Sequence, residues 1–353
     1  MTPPWRDSFE ARTYQAFLAG LKHHWGGELY REVVVAAETQ RASDPTALEQ
    51  AMRTRAAYRL YAYLERRIQQ MKWSGRYGFV TLVEDQRAAL EAYLDAAHPG
   101  AQLHLDASLA PPDYVRATET HQQPGGLWGD PLGAVALAWY ATGLSFAGTS
   151  PDALVDWYAR LVAAHAPCAA PRILDLGCTS GRSTRAIKRA LPAAEVIGCD
   201  VCAAPLRFGA RQGDAVTLMQ QSAERLEFSD ASIDIVASHW LLHELPPRAI
   251  RAAIAEARRV LKPGGVFIAY DMLLVPGGVV GEWLHSGYAA RNNEPFAHTL
   301  MRFDLRGALA QAGFTAIELA LTMPEHPGPD APAALPARRL HYMSLACAKV
   351  PTD

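Results

Sequence analysis

The chain has 353 residues, 50% of them apolar, and its 34 Lys plus Arg nearly balance 36 Asp plus Glu for a net charge of −2. That length suits one large core or two domains, and the charge balance leaves no field to hold a polyanion, so nucleic-acid binding would need a local basic patch. The five cysteines are scattered and odd in number, and no basic segment leads into an apolar run at the start, which predicts a reducing, cytoplasmic setting.

Residues 1 to 150 read as a mainly helical domain. Apolar positions recur three and four apart through Tyr14–Leu21, Leu29–Ala37 and Ala56–Met71, with another helix at Gln86–Ala97. Short extended pieces are predicted near Phe79–Val83 and Gln102–Leu105. The densest basic set, Arg53, Arg55, Arg59, Arg66 and Arg67, falls where Leu60, Leu64 and Ile68 keep helical spacing, so it reads as the solvated face of a helix. Turn residues gather at Ala110–Asp113 and at Gln123–Pro131. The apolar stretch from Leu132 to Gly148 is slightly short for a bilayer and reads as a buried helix.

From Ser150 to residue 353 the pattern becomes alternation of β-rich runs with amphipathic helices, the signature of βαβ units. The runs are Arg172–Leu176, Glu195–Asp200, Val216–Gln221, Ile233–Ser238 and Val266–Asp271. Helices are predicted at Gly181–Leu191, Ala204–Gln212 and Pro247–Leu261, the last stopped by Lys262-Pro263-Gly264-Gly265. Thr315–Met323 and Leu340–Lys349 supply two more strands, and the Pro-rich piece Pro324–Pro336 is a loop.

The first of these strands runs into Asp175-Leu176-Gly177-Cys178-Thr179-Ser180-Gly181, and a helix opens directly after it. Glycines let the backbone turn tightly and approach a ligand, and a helix N-terminus offers free N–H groups. The G-x-x-x-G spacing differs from the G-x-G-x-x-G that seats a pyrophosphate, and an Asp two residues before the first glycine would repel phosphate. Asp200, at the end of the next strand, can accept both hydroxyls of a ribose. Together the two carboxylates describe a nucleoside carrying a cation. That opposes a nicotinamide-dependent oxidoreductase.

These elements, with Ser222-Ala223-Glu224 through Asp234 and Arg259-Val260-Leu261-Lys262-Pro263-Gly264-Gly265, resemble class I S-adenosylmethionine-dependent methyltransferases, particularly the UbiE-like group. The resemblance covers about 180 residues. It implies an α/β, Rossmann-like seven-stranded methyltransferase sheet with its last strand antiparallel, and S-adenosyl-L-methionine as cofactor. By the same likeness Asp175 serves the methionine amino group, while Gly177, Cys178, Thr179 and Gly181 lie against methionine and ribose. Asp200 holds the ribose hydroxyls, and Val201 beside it is a further cofactor-binding residue; Ser222, Ala223 and Glu224 line the adenine; His239 and Trp240 stand near the methionine. The chain departs from the family at Thr179, where a glycine is usual, and at Ser222, where an Asp is usual.

Two histidines, His239 and His243, are the candidate general bases, and His243-Glu244 resembles the His-Asp pair of plant-type O-methyltransferases. The insertion after Asp271 carries Trp283, His285, Tyr288 and Arg291, which with His121 of the Pro-Gly-Gly loop are candidate substrate residues on covers over the pocket. Trp128, beside that loop, could face a cation or acceptor. Cys199 and Cys202 form C-x-x-C without a second pair, so no metal is expected. The function expected is methylation of a small molecule, oxygen preferred over nitrogen or sulfur, by a protein able to form a homodimer; a silent cofactor-binding subunit is the alternative.

Overall fold

In the computed structural model, residues 4–96, 101–143, 151–213, 216–322, 335 and 344–352 are described. Eight strands form one sheet: β1 Gln102–His104, β2 Arg172–Leu176, β3 Glu195–Asp200, β4 Thr217–Gln220, β5 Ile233–His239, β6 Leu261–Asp271, β7 Thr315–Leu321 and β8 Ser344–Lys349. Their order is β1-β4-β3-β2-β5-β6-β8-β7, parallel except that β8 runs antiparallel to both β6 and β7. The chain winds outward from β2 through β3 to β4, then returns to place β5 on the other side of β2. Such a reversal opens a crevice at the carboxyl ends of the strands.

The middles of β2, β5 and β6 carry apolar residues on both faces because helices cover both. On one side the helix Pro247–Val260 lays Ile250, Ile254 and Ala257 on Leu174, Val236 and Phe267. On the other, Tyr158 and Val162 of the helix Pro151–Ala164 pack with Ile187 of the helix Arg182–Ala190 over Ile173 and Ile235. Burial of each such side chain contributes about 1.5–3 kcal/mol.

The sheet has one strand more than expected, because Gln102–His104 pairs in parallel with β4 and extends its edge. Phe79–Glu84 is a helix where an extended piece was predicted. Its Phe79, Leu82 and Val83 keep helical spacing and bury against Trp73 and Trp139, so packing overrides their strand preference. A helix at Pro45–Met52, capped by Asp44, was not foreseen. Lys262-Pro263-Gly264-Gly265 lies inside the irregular start of β6 rather than ahead of it. The predicted loop Pro324–Pro336 lies outside the described residues except Leu335.

The apolar stretch forms a helix over Gly133–Gly143 with Val135, Ala136 and Trp139 buried, and the rest of the stretch, 144–148, lies outside the described residues. Among the described residues no helix is long and apolar enough to cross a membrane. In the helix Ala56–Trp73 the five arginines around it stay exposed, but the buried stripe is Tyr58, Tyr61, Glu65, Ile68 and Lys72, while Leu60 is 47% exposed. Besides the pairing of β1 with β4, the helical N-terminal region packs on the rest of the chain through aromatic clusters. Trp5 and Trp139 stack at 5.4 Å and pack on Phe208, and Trp283 and Leu284 of the helix Gly278–Asn292 enter the cluster around Tyr30, Tyr58 and Tyr61.

Candidate functional site

A cavity of about 690 Å³ opens at the carboxyl ends of β2, β3, β4 and β5 and is roofed by the N-terminal region. Its floor is the loop after β2. Gly177 has φ +68° and a Cβ there would stand 2.7 Å from Leu241, so only glycine fits. Thr179 sits at φ 51°, in the left-handed region that a β-branched residue rarely enters. Its N–H donates to Asp200 Oδ2 at 2.9 Å, and Cys202 N donates to Oδ1 at 2.9 Å. A carboxylate has about four acceptor positions, so Asp200 retains capacity for ligand hydroxyls. Burial raises its pKa against those backbone bonds.

The structure places Asp175 beneath the loop instead of in the cavity wall. It is fully buried; Oδ2 accepts from Ser183 Oγ at 2.6 Å and Thr184 Oγ1 at 2.7 Å, and Oδ1 from the Tyr158 hydroxyl at 3.3 Å. Burial lifts its pKa to about 6 despite these donors. It therefore anchors the helix start under the loop. Gly181, at φ +71°, caps that helix and also stands behind the wall. Glu224 turns away to accept from the Tyr114 hydroxyl at 2.8 Å, while Val201, Ser222 and Ala223 face the cavity with Cys178.

At the end of β5, His239 is sandwiched between rings: Tyr158 at 4.9 Å, Trp240 at 4.9 Å and Tyr270 at 5.8 Å. Its Nε2 is buried without a hydrogen-bond partner, and desolvation brings its pKa down to about 4. It is a neutral imidazole at neutral pH. His243 differs: Nδ1 lies 2.7 Å from Asp271 Oδ1 and Nε2 lies 3.6 Å from Glu244 Oε1. Burial disfavours its charge, but the Asp271 carboxylate outweighs that and raises its pKa well above the ordinary imidazole range. The direction of that shift favours the imidazolium, while the Nδ1–Asp271 contact orients the ring with Nε2 toward Glu244.

Of the expected substrate residues, His121 and Tyr288 line the cavity and share one carboxylate, His121 Nδ1 standing 2.8 Å from Glu294 Oε1, to which the Tyr288 hydroxyl donates at 2.8 Å. Trp283, His285 and Arg291 do not line it. Trp283 donates to Glu49 Oε2 at 2.8 Å within an aromatic cluster, His285 is buried against the Ala297 carbonyl, and Arg291 pairs with buried Glu65. Trp128 turns outward, 43% exposed, with its Nε1 on the Arg116 carbonyl. Lining residues that the sequence did not single out include Lys22, Lys72, Tyr114 and Tyr140.

The residues present suit a cationic nucleoside. Glycine backbone, the Asp200 carboxylate and a neutral aromatic wall meet in one cavity, and a carboxylate bonded to the loop N–H disfavours phosphate there.

Residues 173–265 match the family described as a methyltransferase domain. The chain is 32% identical over 146 residues, 41% of its length, to an uncharacterized methyltransferase of Synechocystis, of which it covers 68%. It is 31% identical over 144 residues to the ubiquinone biosynthesis O-methyltransferase of Nitrosococcus oceani and 33% over 132 residues to a ubiquinone/menaquinone biosynthesis C-methyltransferase of Dinoroseobacter shibae. Those two matches take in 39% and 35% of this chain and 59% and 49% of the relatives. A phosphoethanolamine N-methyltransferase of Haemonchus contortus superposes with a TM-score of 0.46 at 16% identity, over 68% of this chain and 59% of that one. The chain belongs to the S-adenosylmethionine-dependent methyltransferases of class I.

Proposed function

We propose that this protein transfers a methyl group from S-adenosylmethionine to a small-molecule acceptor, with a hydroxyl oxygen as the acceptor atom. The observation that carries the reading is the cavity at the carboxyl ends of the strands, continuous from the glycine loop to Tyr140 and His121 of the N-terminal region. Its size suits small ligands held away from water.

The cofactor, when bound, supplies a methyl group already activated by its sulfonium charge. The chain's own residues then align and shield. Asp200 accepts the ribose hydroxyls, Ser222 and Ala223 flank the adenine, and backbone from Gly177 to Thr179 lies under the sugar and amino-acid portion. Asp175 acts through Ser183 and Thr184 by fixing the loop. The His239–Trp240 stack closes the methionine end. His243, held by Asp271, stands at the wall beside Glu244. Tyr140, with Lys22 at its hydroxyl, lines the same space, which supports oxygen as acceptor.

Calorimetric titration with S-adenosylmethionine and S-adenosylhomocysteine, with NADH as control, tests the cofactor assignment. Micromolar binding of the first two and none of the third is expected, and Asp200→Ala weakens it at least tenfold. Binding of NADH instead, or unchanged affinity in Asp200→Ala, sinks the assignment.

A further inference from the structure

At the N-terminal end of the cavity one phenol sits among cations drawn from separate elements. Lys22 of the helix Phe9–His24 reaches the Tyr140 hydroxyl at 3.4 Å. Lys72, only 3% exposed on the helix Ala56–Trp73, stands 4.1 Å from the centroid of the Tyr140 ring. His121, from the turn Thr120–Gln122, adds a third nitrogen group on the side of Glu294. Trp73 and Phe79 complete the enclosure, with ring centroids 5.6 Å and 6.0 Å from that of Tyr140. All three of Lys22, Lys72 and Tyr140 line the cavity.

We propose that Tyr140, seated between Lys22 and Lys72, is the group that takes the proton from the acceptor's hydroxyl. This rests on the oxygen-methylation reading given above. The acceptor's O–H bond breaks, its electron pair stays on the acceptor oxygen, and the proton forms the Tyr140 O–H bond. One ammonium group at the phenolic oxygen and a second over the ring face favour the phenol's anion. Burial alone would push the phenol up, yet Lys22, Lys72 and His121 outweigh it and bring it down to about 7. Burial also lowers Lys72, to about 8, so it remains largely charged at neutral pH. His243 Nδ1 is held by Asp271, and Glu294 is the carboxylate whose charge reaches Lys72.

The test reads the phenolate absorbance near 295 nm of the full chain as a function of pH, which needs no acceptor. The parent should show one phenol ionising about three units below the ordinary tyrosine range. That step should vanish in Tyr140→Phe and move upward in Lys72→Met. A parent with no early-ionising phenol, or an early step unchanged by Lys72→Met, overturns the proposal even where Tyr140→Phe fails to fold. With any phenol of a panel turned over using methyl-tritiated S-adenosylmethionine, Tyr140→Phe should lower kcat on the order of 10²-fold or more, with cofactor affinity by calorimetry unchanged; an undiminished kcat overturns it as well. Loss of cofactor binding by the parent would instead refute the function reading, so the two failures are distinct.

Discussion

His243 Nδ1 and Asp271 Oδ1 stand 2.7 Å apart, with both side chains almost wholly sealed from solvent. Asp271 also accepts from the backbone N–H of Leu242 and Met272, so one carboxylate ties the end of β6 to the turn after β5. The pair raises the folded pKa of the imidazole and lowers that of the carboxylate. A raised imidazole stabilises the fold fully below its unfolded pKa and loses that contribution as pH climbs through the folded value. A lowered carboxylate stabilises above its unfolded pKa and loses the contribution as pH falls through the folded value. Asp271→Asn should therefore lower stability by roughly 3–5 kcal/mol at neutral pH, the gap from the parent narrowing at both extremes. Denaturant unfolding across pH checks this; a gap independent of pH would count against a charged pair.

Asp175 has the opposite sign. Its folded pKa is raised to about 6, so the charged form opposes folding at neutral pH. As pH falls through about 6 toward the unfolded value, the parent should gain ~2 kcal/mol relative to Asp175→Asn. Thermal unfolding of both proteins between pH 4 and pH 8 measures the crossover, and parallel curves would refute it.

Much of this site follows from local chain features. The bounds of β2 and β3 and the loop between Gly177 and Gly181 are visible because alternating apolar runs, glycines and a following helix are near in sequence. The Tyr140 cluster is hidden for a physical reason. Lys22 and Lys72 sit in amphipathic helices, where lysine ordinarily marks the solvated side, and Tyr140 lies in a helix so apolar that it reads as plain core. The buried stripe of Ala56–Trp73 carries Glu65 and Lys72, whose partners arrive from distant parts of the chain. Asp271 is likewise invisible as a partner of His243, since only the parallel pairing of β5 with β6 brings their ends together.

Thr179 in the left-handed region carries strain of about 1–3 kcal/mol. Thr179→Gly should raise the melting temperature while keeping the N–H that Asp200 accepts, so cofactor affinity by calorimetry should hold or improve. A lowered melting temperature would show that the threonine side chain contributes more than its backbone costs.

Arg291 and Glu65 join the insertion helix to the N-terminal region through a buried ion pair. Arg291→Met alone leaves an unpaired buried carboxylate and should destabilise by about 3–5 kcal/mol, whereas the double variant Arg291→Met with Glu65→Leu should recover most of the loss. Unfolding free energies of the two variants decide it; an additive loss would mean the residues act independently.

The short strand β1 has a consequence for how the chain can be divided. Residues 102–104 occupy the hydrogen-bonding edge of β4, so a fragment starting near residue 151 would present that edge bare, beside an open crevice and an uncovered Phe208. Such a fragment would be prone to stick to its own copies, and the N-terminal region thus serves as the sheet's chaperone in cis.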